Sequence, residues 1–260
     1  MSLVAKRQVK KSILNKYYLL GILFLIVLWE ILSKLIGQET MVFPGFFRTI
    51  EYSINLLKSS YTYKCIFETM AKMLMGFGIS FIFALVLGTL SGNYEYIYEF
   101  LKPLITTLKA IPTASLIYLF IVLAGFKKAP MILVSIVCFP ILYEGVVGGI
   151  KNVDKDIIDS ARIDGANIFN LNIYIKLPLA TSYILVAIAS SFSLSFKIEI
   201  MAEVITGASN AGLGAAILGA RSSDPTNMVP VFGYSFIAVV IMLVIDYLAK
   251  VIENIFNNFN

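Results

Sequence analysis

The chain has 260 residues, of which 58% are hydrophobic and 14% charged, and its mean hydropathy is +0.84. A soluble domain carries roughly 45–50% apolar and about 25% charged residues, so a water-soluble globule is excluded and an integral membrane protein is implied. The net charge of +5 then bears on orientation in a membrane, since no Arg and aromatic patch offers itself to nucleic acid, and with no His and only Cys65 and Cys138, both set in apolar runs, His-based catalysis and an ordinary zinc site are excluded.

Residues 1–16 form a basic tail with Lys6, Arg7, Lys10, Lys11 and Lys16 and no acid. The apolar run 17–36 has the length a membrane-crossing helix needs, about 20 residues, and no small-residue cleavage site ends it. It reads as a retained first span with its basic end in the cytoplasm. Glu30 and Lys34 stand four apart on it, the spacing of an intrahelical ion pair. Residues 37–65 then fall outside. Pro44-Gly45 opens a stretch with Phe46, Ile50, Ile54 and Leu57 at helical spacing, which predicts an interfacial amphipathic helix packed against the bundle.

Six segments have spanning length and composition: 17–36, 66–90, 104–124, 129–150, 178–200 and 229–250. The third is the least apolar, with Lys109 and Pro112 in its first turns, a snorkelling lysine and a kink. Six crossings put both termini, including the tail 251–260, on one side. Lys and Arg at 6, 7, 10, 11, 16, 102, 151, 155, 162, 176 and 250 then share that side, against Arg48, Lys58, Lys64, Lys127, Lys128 and Arg221 opposite. The bias makes the side of the termini cytoplasmic.

Between the fourth and fifth spans lies Val153–Pro178, the longest polar interruption of the C-terminal two-thirds. Asp154 is a good N-cap, and Ile157, Ile158 and Ala161 make a narrow apolar stripe on a charged helix. Gly165 stands where the chain can turn with positive φ, and Ile168, Phe169, Leu171 and Ile173 form a second amphipathic run. Leu177-Pro178 starts the next apolar helix, where Pro is tolerated in the first turn. The pattern alone leaves two readings: a loop lying flat on lipid headgroups, or a docking element for a partner.

Asp159-Ser160-Ala161, three residues, Gly165, nine residues and Ile175-Lys176-Leu177-Pro178 together resemble the "EAA…G…I-x-LP" signature. That signature belongs to membrane permease subunits of binding-protein-dependent ABC importers. Asp159 departs from the usual Glu and Ser160 from the usual Ala, small changes of the same polarity or size. Ser91-Gly92-Asn93, Lys109-Ala110-Ile111-Pro112 and the run Gly149–Asp154 are similar to the same family. Phe196-Lys197, Met201–Ile205 and Ala211-Gly212-Leu213-Gly214 resemble its branch serving nitrate, sulfonates, taurine, bicarbonate and thiamine-precursor pyrimidines, with Phe196 replacing a common tryptophan. The likeness runs from about Pro44 to Lys250.

Lys197, Glu199 and Glu203 cluster near the outer end of the fifth span. A charge at mid-bilayer costs about 2.5–3.5 kcal/mol on insertion scales, and less near the surface. One reading makes the three helix-end charges that reach interfacial water. The other sets Lys197 and Glu203 beside a translocation path, Lys197 meeting an anionic solute. Residues 208–221, with Gly207, Gly212, Gly214 and Gly219, read either as a short re-entrant helix gating that path or as close helix packing.

The resemblance implies an all-α membrane protein of the type I ABC importer permease fold, in a bacterial inner membrane, with six spans and a cytoplasmic coupling helix. It implies a second copy of the permease, two separate ATPase subunits and an external binding protein that delivers the solute. Ile157, Ile158, Asp159, Ser160, Ala161 and Gly165 would contact the ATPase, Ile157 and Ile158 buried in its groove. ATP and Mg would be held by that partner; this chain has no G-x-x-x-x-G-K-[ST] phosphate cradle and calls for no cofactor of its own. Two other classes compete. A secondary transporter or channel would carry inverted repeats, and none is convincing. A membrane enzyme would need a catalytic cluster; Asp154, Asp156, Asp159 and Asp164 read better as a solvated helix face.

Overall fold

A computed structural model describes residues 3–36, 42–207 and 212–257, with side chains over 16–36, 42–207 and 212–251. Residues 37–41, at the start of the expected outer loop, and 208–211, which include Ala211, lie outside the described residues, as do the side chains of Lys6, Arg7, Lys10 and Lys11. Every regular element among the described residues is helical. In chain order they are α1 (Leu3–Ile36), α2 (Phe46–Leu56), α3 (Ser60–Asn93), α4 (Glu95–Ala110), α5 (Thr113–Ala124) and α6 (Ala129–Lys151). There follow α7 (Lys155–Ile163), α8 (Ile168–Leu171), α9 (Leu177–Leu179), α10 (Thr181–Thr206), α11 (Leu213–Ser223) and α12 (Val229–Asn257).

Five stretches are long and apolar enough to cross a membrane alone: Lys16–Ile36, Ser60–Asn93, Ala129–Lys151, Thr181–Thr206 and Val229–Val251. The predicted third span, 104–124, is not one helix. α4 and α5 meet at an angle of 102°. Pro112 is the cause: it has no N–H to continue the ladder, and its ring pushes Ile111 out of the helical region, to φ −74° and ψ 129°.

Topology makes the bent pair a single return crossing. α3 and α6 pack in parallel along their length: Gly76 lies against Met131 and Val134, Gly88 against Val146, and Gly92 against Ile150. A Cβ on Gly88 would come within 2.8 Å of Val146, so the glycine is what lets the two backbones close. Glu95 at the start of α4 pairs with Lys151 at the end of α6, 2.8 Å away. α4 and α5 must therefore carry the chain from the Lys151 end of the bundle back to the Ala129 end. α10 runs antiparallel to α6, with Gly149 against Ala180 and Gly145 against Ala187.

The core is apolar and continuous across α3, α5, α6 and α10, with Ile117, Leu133, Leu142 and Tyr143 fully buried. A second cluster joins α3 and α10 to α11 and α12 through Met73, Phe196, Leu213 and Ile237. Cys138 lies in the first and Cys65 in the second, both as buried free thiols.

The expected amphipathic helix is α2. It packs on α12, and Ser53 Oγ donates to the Gly233 carbonyl at 3.2 Å. The Glu30–Lys34 pairing is replaced by another contact. Glu30 accepts the backbone N–H of Phe46 at 3.0 Å and so caps the N-terminus of α2, where Gly45 has no side chain to do it. Trp29 donates to the Pro44 carbonyl at 3.0 Å and packs edge-on against Phe46 and Phe232, which fixes α1 to the α2 entrance.

Candidate functional site

The stretch after α6 forms the helix, glycine corner and second helix that its sequence predicts. Asp154 caps α7, its carboxylate accepting the Asp156 N–H at 2.9 Å. Asp156 in the first turn and Arg162 in the last complement the helix dipole. At the far end the Gly165 N–H donates to Arg162 O and the Ala166 N–H to Ala161 O, both at 3.0 Å, the double bond pattern of a Schellman cap. The cap requires a left-handed residue, and Gly165 has φ +87°. Asn167 caps α8 by accepting the Asn170 N–H at 2.8 Å.

No residue of α7 is buried. Ile157, Asp159, Ser160 and Gly165 are exposed; Ile158 and Ala161 are half-buried. The apolar side chains around the corner stand open as well, Ile163 at 87% and Phe169 at 67% exposure. Among the described residues, the helix pair is tied to the bundle behind it. Asn93, the last residue of α3, accepts from Lys176 Nζ at 2.5 Å and donates to Asn172 Oδ1 at 2.8 Å. Lys176 is buried there, and that burial together with the Arg162 charge holds its ammonium below the ordinary lysine pKa. Leu171 packs inward beside this tie. Sequence reasoning singled out Ser91-Gly92-Asn93 and Lys176 without seeing that they meet. A buried lysine at the foot of an apolar helix, needing a partner, was the available signal.

At the opposite end of the bundle, Lys197, Glu199 and Glu203 do not form one cluster. Lys197 is exposed, whereas both carboxylates are wholly buried. The reading of helix-end charges in interfacial water fails for Glu199 and Glu203. Glu203 accepts from Thr69 Oγ1 at 2.7 Å, Lys72 Nζ at 2.9 Å and the Gly214 N–H at 3.0 Å. Thr69 Oγ1 in turn accepts the Leu213 N–H at 2.8 Å. The first turn of α11 is thereby capped by side chains from α3 and α10. Gly212 and Gly214 lie directly against Glu203, so these two glycines serve close packing, whereas an added Cβ at Gly219 would meet nothing within 4 Å. Glu199, one turn earlier, has no hydrogen-bond partner among the described residues. Lys72 was missed; it stands at the edge of the charge-free run from Met73 to Tyr94, where a cation on a membrane helix calls for a buried acid.

Lys109 is also not a snorkelling lysine. Its ammonium reaches both carboxylate oxygens of Glu144, at 2.8 and 2.9 Å, so that the end of α4, just before the elbow, is pinned to α6. Glu144 was overlooked for the same reason as Lys72.

A family model described as "Binding-protein-dependent transport system inner membrane component" matches residues 80–257. A probable ABC transporter permease protein of Brucella melitensis is 27% identical over 187 residues, covering 72% of this chain and 74% of the relative. A riboflavin transport system permease protein of Chloroflexus aurantiacus is 26% identical, covering 80% and 77%. A putative aliphatic sulfonates transport permease protein of Bacillus subtilis is 24% identical, covering 79% and 74%. Among solved structures, an inward-facing form of the methionine ABC transporter MetNI superposes with a TM-score of 0.65 at 16% identity, covering 75% of this chain and 95% of that one. At that identity the likeness speaks for the fold.

Proposed function

The chain belongs to the inner membrane components of binding-protein-dependent transport systems, and we propose on that premise that two copies form the membrane pathway of an ABC importer for a small anionic solute. An external binding protein delivers the solute, and two separate ATPase subunits dock on α7. The end of the bundle that carries Asn93, α7 and Lys176 faces the cytoplasm, and so do both termini. ATP and Mg are bound by the ATPases.

The exposed α7 carries this reading. Water-facing isoleucines on a helix whose caps are all satisfied are a surface awaiting a partner. Ile157, Ile158 and Ala161 supply the apolar contact, Asp159 and Ser160 the polar rim, and Gly165 the angle at which the helix is held. The tie through Asn93, Asn172 and Lys176 anchors the segment that follows α7 and α8 to the end of α3, just before α10 begins. A displacement imposed on α7 by nucleotide binding would be passed to α3 and α10 as a rigid-body movement. At the other end Lys197 stands on the solute's route. Glu203 keeps α11 in place beside it, and Glu199 lies buried behind.

Copurification tests the docking. The tagged chain retains an ATPase subunit expressed with it. Burial of one isoleucine is worth about 1.5–3 kcal/mol, so Ile157→Asp lowers that affinity about 10- to 100-fold while the permease still inserts. Retention of no ATPase by the unaltered chain overturns the proposal.

A further inference from the structure

The faces that meet lipid are recognisable by what they expose. Along α3, the exposed residues between 74 and 90 are Leu74, Met75, Ile79, Ile82, Phe83, Val86 and Leu90. Along α12, those between 229 and 248 are again apolar, with Tyr247 alone carrying a polar group, at its tip. One face of the bundle breaks this rule. Between 129 and 150 the exposed residue of α6 is a glutamate, Glu144. Its partner Lys109 is half exposed too. On α10 the exposed residues are Tyr183, Val186, Ser190 and Lys197.

These positions form a line. Tyr183, Ser190 and Lys197 are seven apart, which on a helix keeps them within about 20° of one face and spaces them about 10 Å apart. Glu144 lies seven residues before the end of α6, hence about 10 Å into the bundle from Lys151. Its neighbour Gly145 opens, together with Tyr183 and Val186, a groove of about 470 Å³ between α6 and α10. A doubly bonded ion pair and, at another depth, a lysine with no partner among the described residues have no place against acyl chains; the Ser190 hydroxyl between them donates to the Val186 carbonyl of its own helix.

We propose that Lys109, Glu144, Tyr183, Ser190 and Lys197 line the water-filled route of the solute, and that this route runs along the α6–α10 groove. The inference rests on the importer reading and deepens it by moving the route away from Glu199 and Glu203, which are sealed inside the protein. Lys197 is the cation that an anionic solute meets towards the outer end. The Lys109–Glu144 pair is the polar group it meets last, beside the α4–α5 elbow.

Thiol labelling in membrane vesicles containing the full-length chain tests this without an ATPase. The native Cys65 and Cys138 are fully buried and give a silent background. Ser190→Cys, nearly isosteric, and Lys197→Cys are compared with Val244→Cys on the lipid face of α12, using a negatively charged methanethiosulfonate. Because the reagent must shed water to reach a lipid-facing thiol, the first two are expected to react on the order of a hundredfold faster than the third. Equal rates at all three positions overturn the proposal. So does a spontaneous disulfide between two copies at residue 190 with no reagent access, which would make this face a dry contact. If labelling fails while solute-stimulated ATP hydrolysis survives in the assembled complex, the route is wrong and the importer reading stands.

Discussion

Lys72 of α3 and Glu203 of α10 form a 2.9 Å ion pair whose carboxylate is completely buried. The pair joins helices whose residues are 131 positions apart in the chain, and it does so where α11 begins. Glu203 is thus an internal cap for a helix that has no capping side chain of its own.

Removing one partner of a buried pair leaves the other uncompensated, at a cost of about 3–5 kcal/mol. Glu203→Leu also strands the Gly214 N–H. Both Lys72→Met and Glu203→Leu are expected to lower the thermal unfolding midpoint in detergent, and the double variant to lose less than the sum of the two. Additive losses would show that the two side chains act independently.

The tie behind α7 makes a pH-dependent prediction. The folded protein binds the Lys176 proton less tightly than the unfolded chain does, because burial and Arg162 lower its pKa. The resulting penalty is fully present below the folded pKa and is relieved as pH rises through it towards the ordinary value, about 10.4. The stability of the parent relative to Lys176→Gln should therefore rise as pH climbs from neutrality towards the ordinary lysine value, about 10.4. Thermal midpoints of the two proteins across that range check the sign; a constant difference contradicts it. Asn93→Ala, which removes an acceptor from the charged amine, should cost about 1.5–3 kcal/mol at neutral pH.

Local features were legible in the sequence wherever one residue type dictates one geometry. The Asp154 cap, the Gly165 corner and five of the six long apolar helices follow from short-range rules, and the structure has them. Contacts between distant elements were not legible. Glu30 had a lysine at helical spacing, yet it turned to the N-terminus of α2, because an uncapped helix end is a stronger demand than an exposed ion pair. Pro112 announced a kink, but whether the chain bends by 30° or by 102° depends on where α6 requires α5 to go. Glu199 and Glu203 stand four apart and so share one face of α10. That this face points inward follows only from Lys72 and Thr69, which approach from another helix.

The last prediction concerns the corner itself. An added Cβ at Gly165 would meet nothing within 4 Å, so any substitution acts through the backbone alone. The left-handed conformation costs an ordinary L-residue about 1–2 kcal/mol, and a β-branched residue is the poorest fit of all. Gly165→Val should therefore unwind the cap and release α7 from its fixed angle. Apart from the tie at Asn93 the helix pair leans on little else, so the damage stays local and membrane insertion is retained. In vesicles with the ATPase and the loaded binding protein, solute-stimulated ATP hydrolysis should be abolished in Gly165→Val. It should be largely kept in Gly165→Asn, since asparagine tolerates positive φ. Normal stimulation in Gly165→Val would mean that the orientation of α7 does not transmit the movement. Equal loss in both variants would point instead to a need for an unobstructed surface at this position.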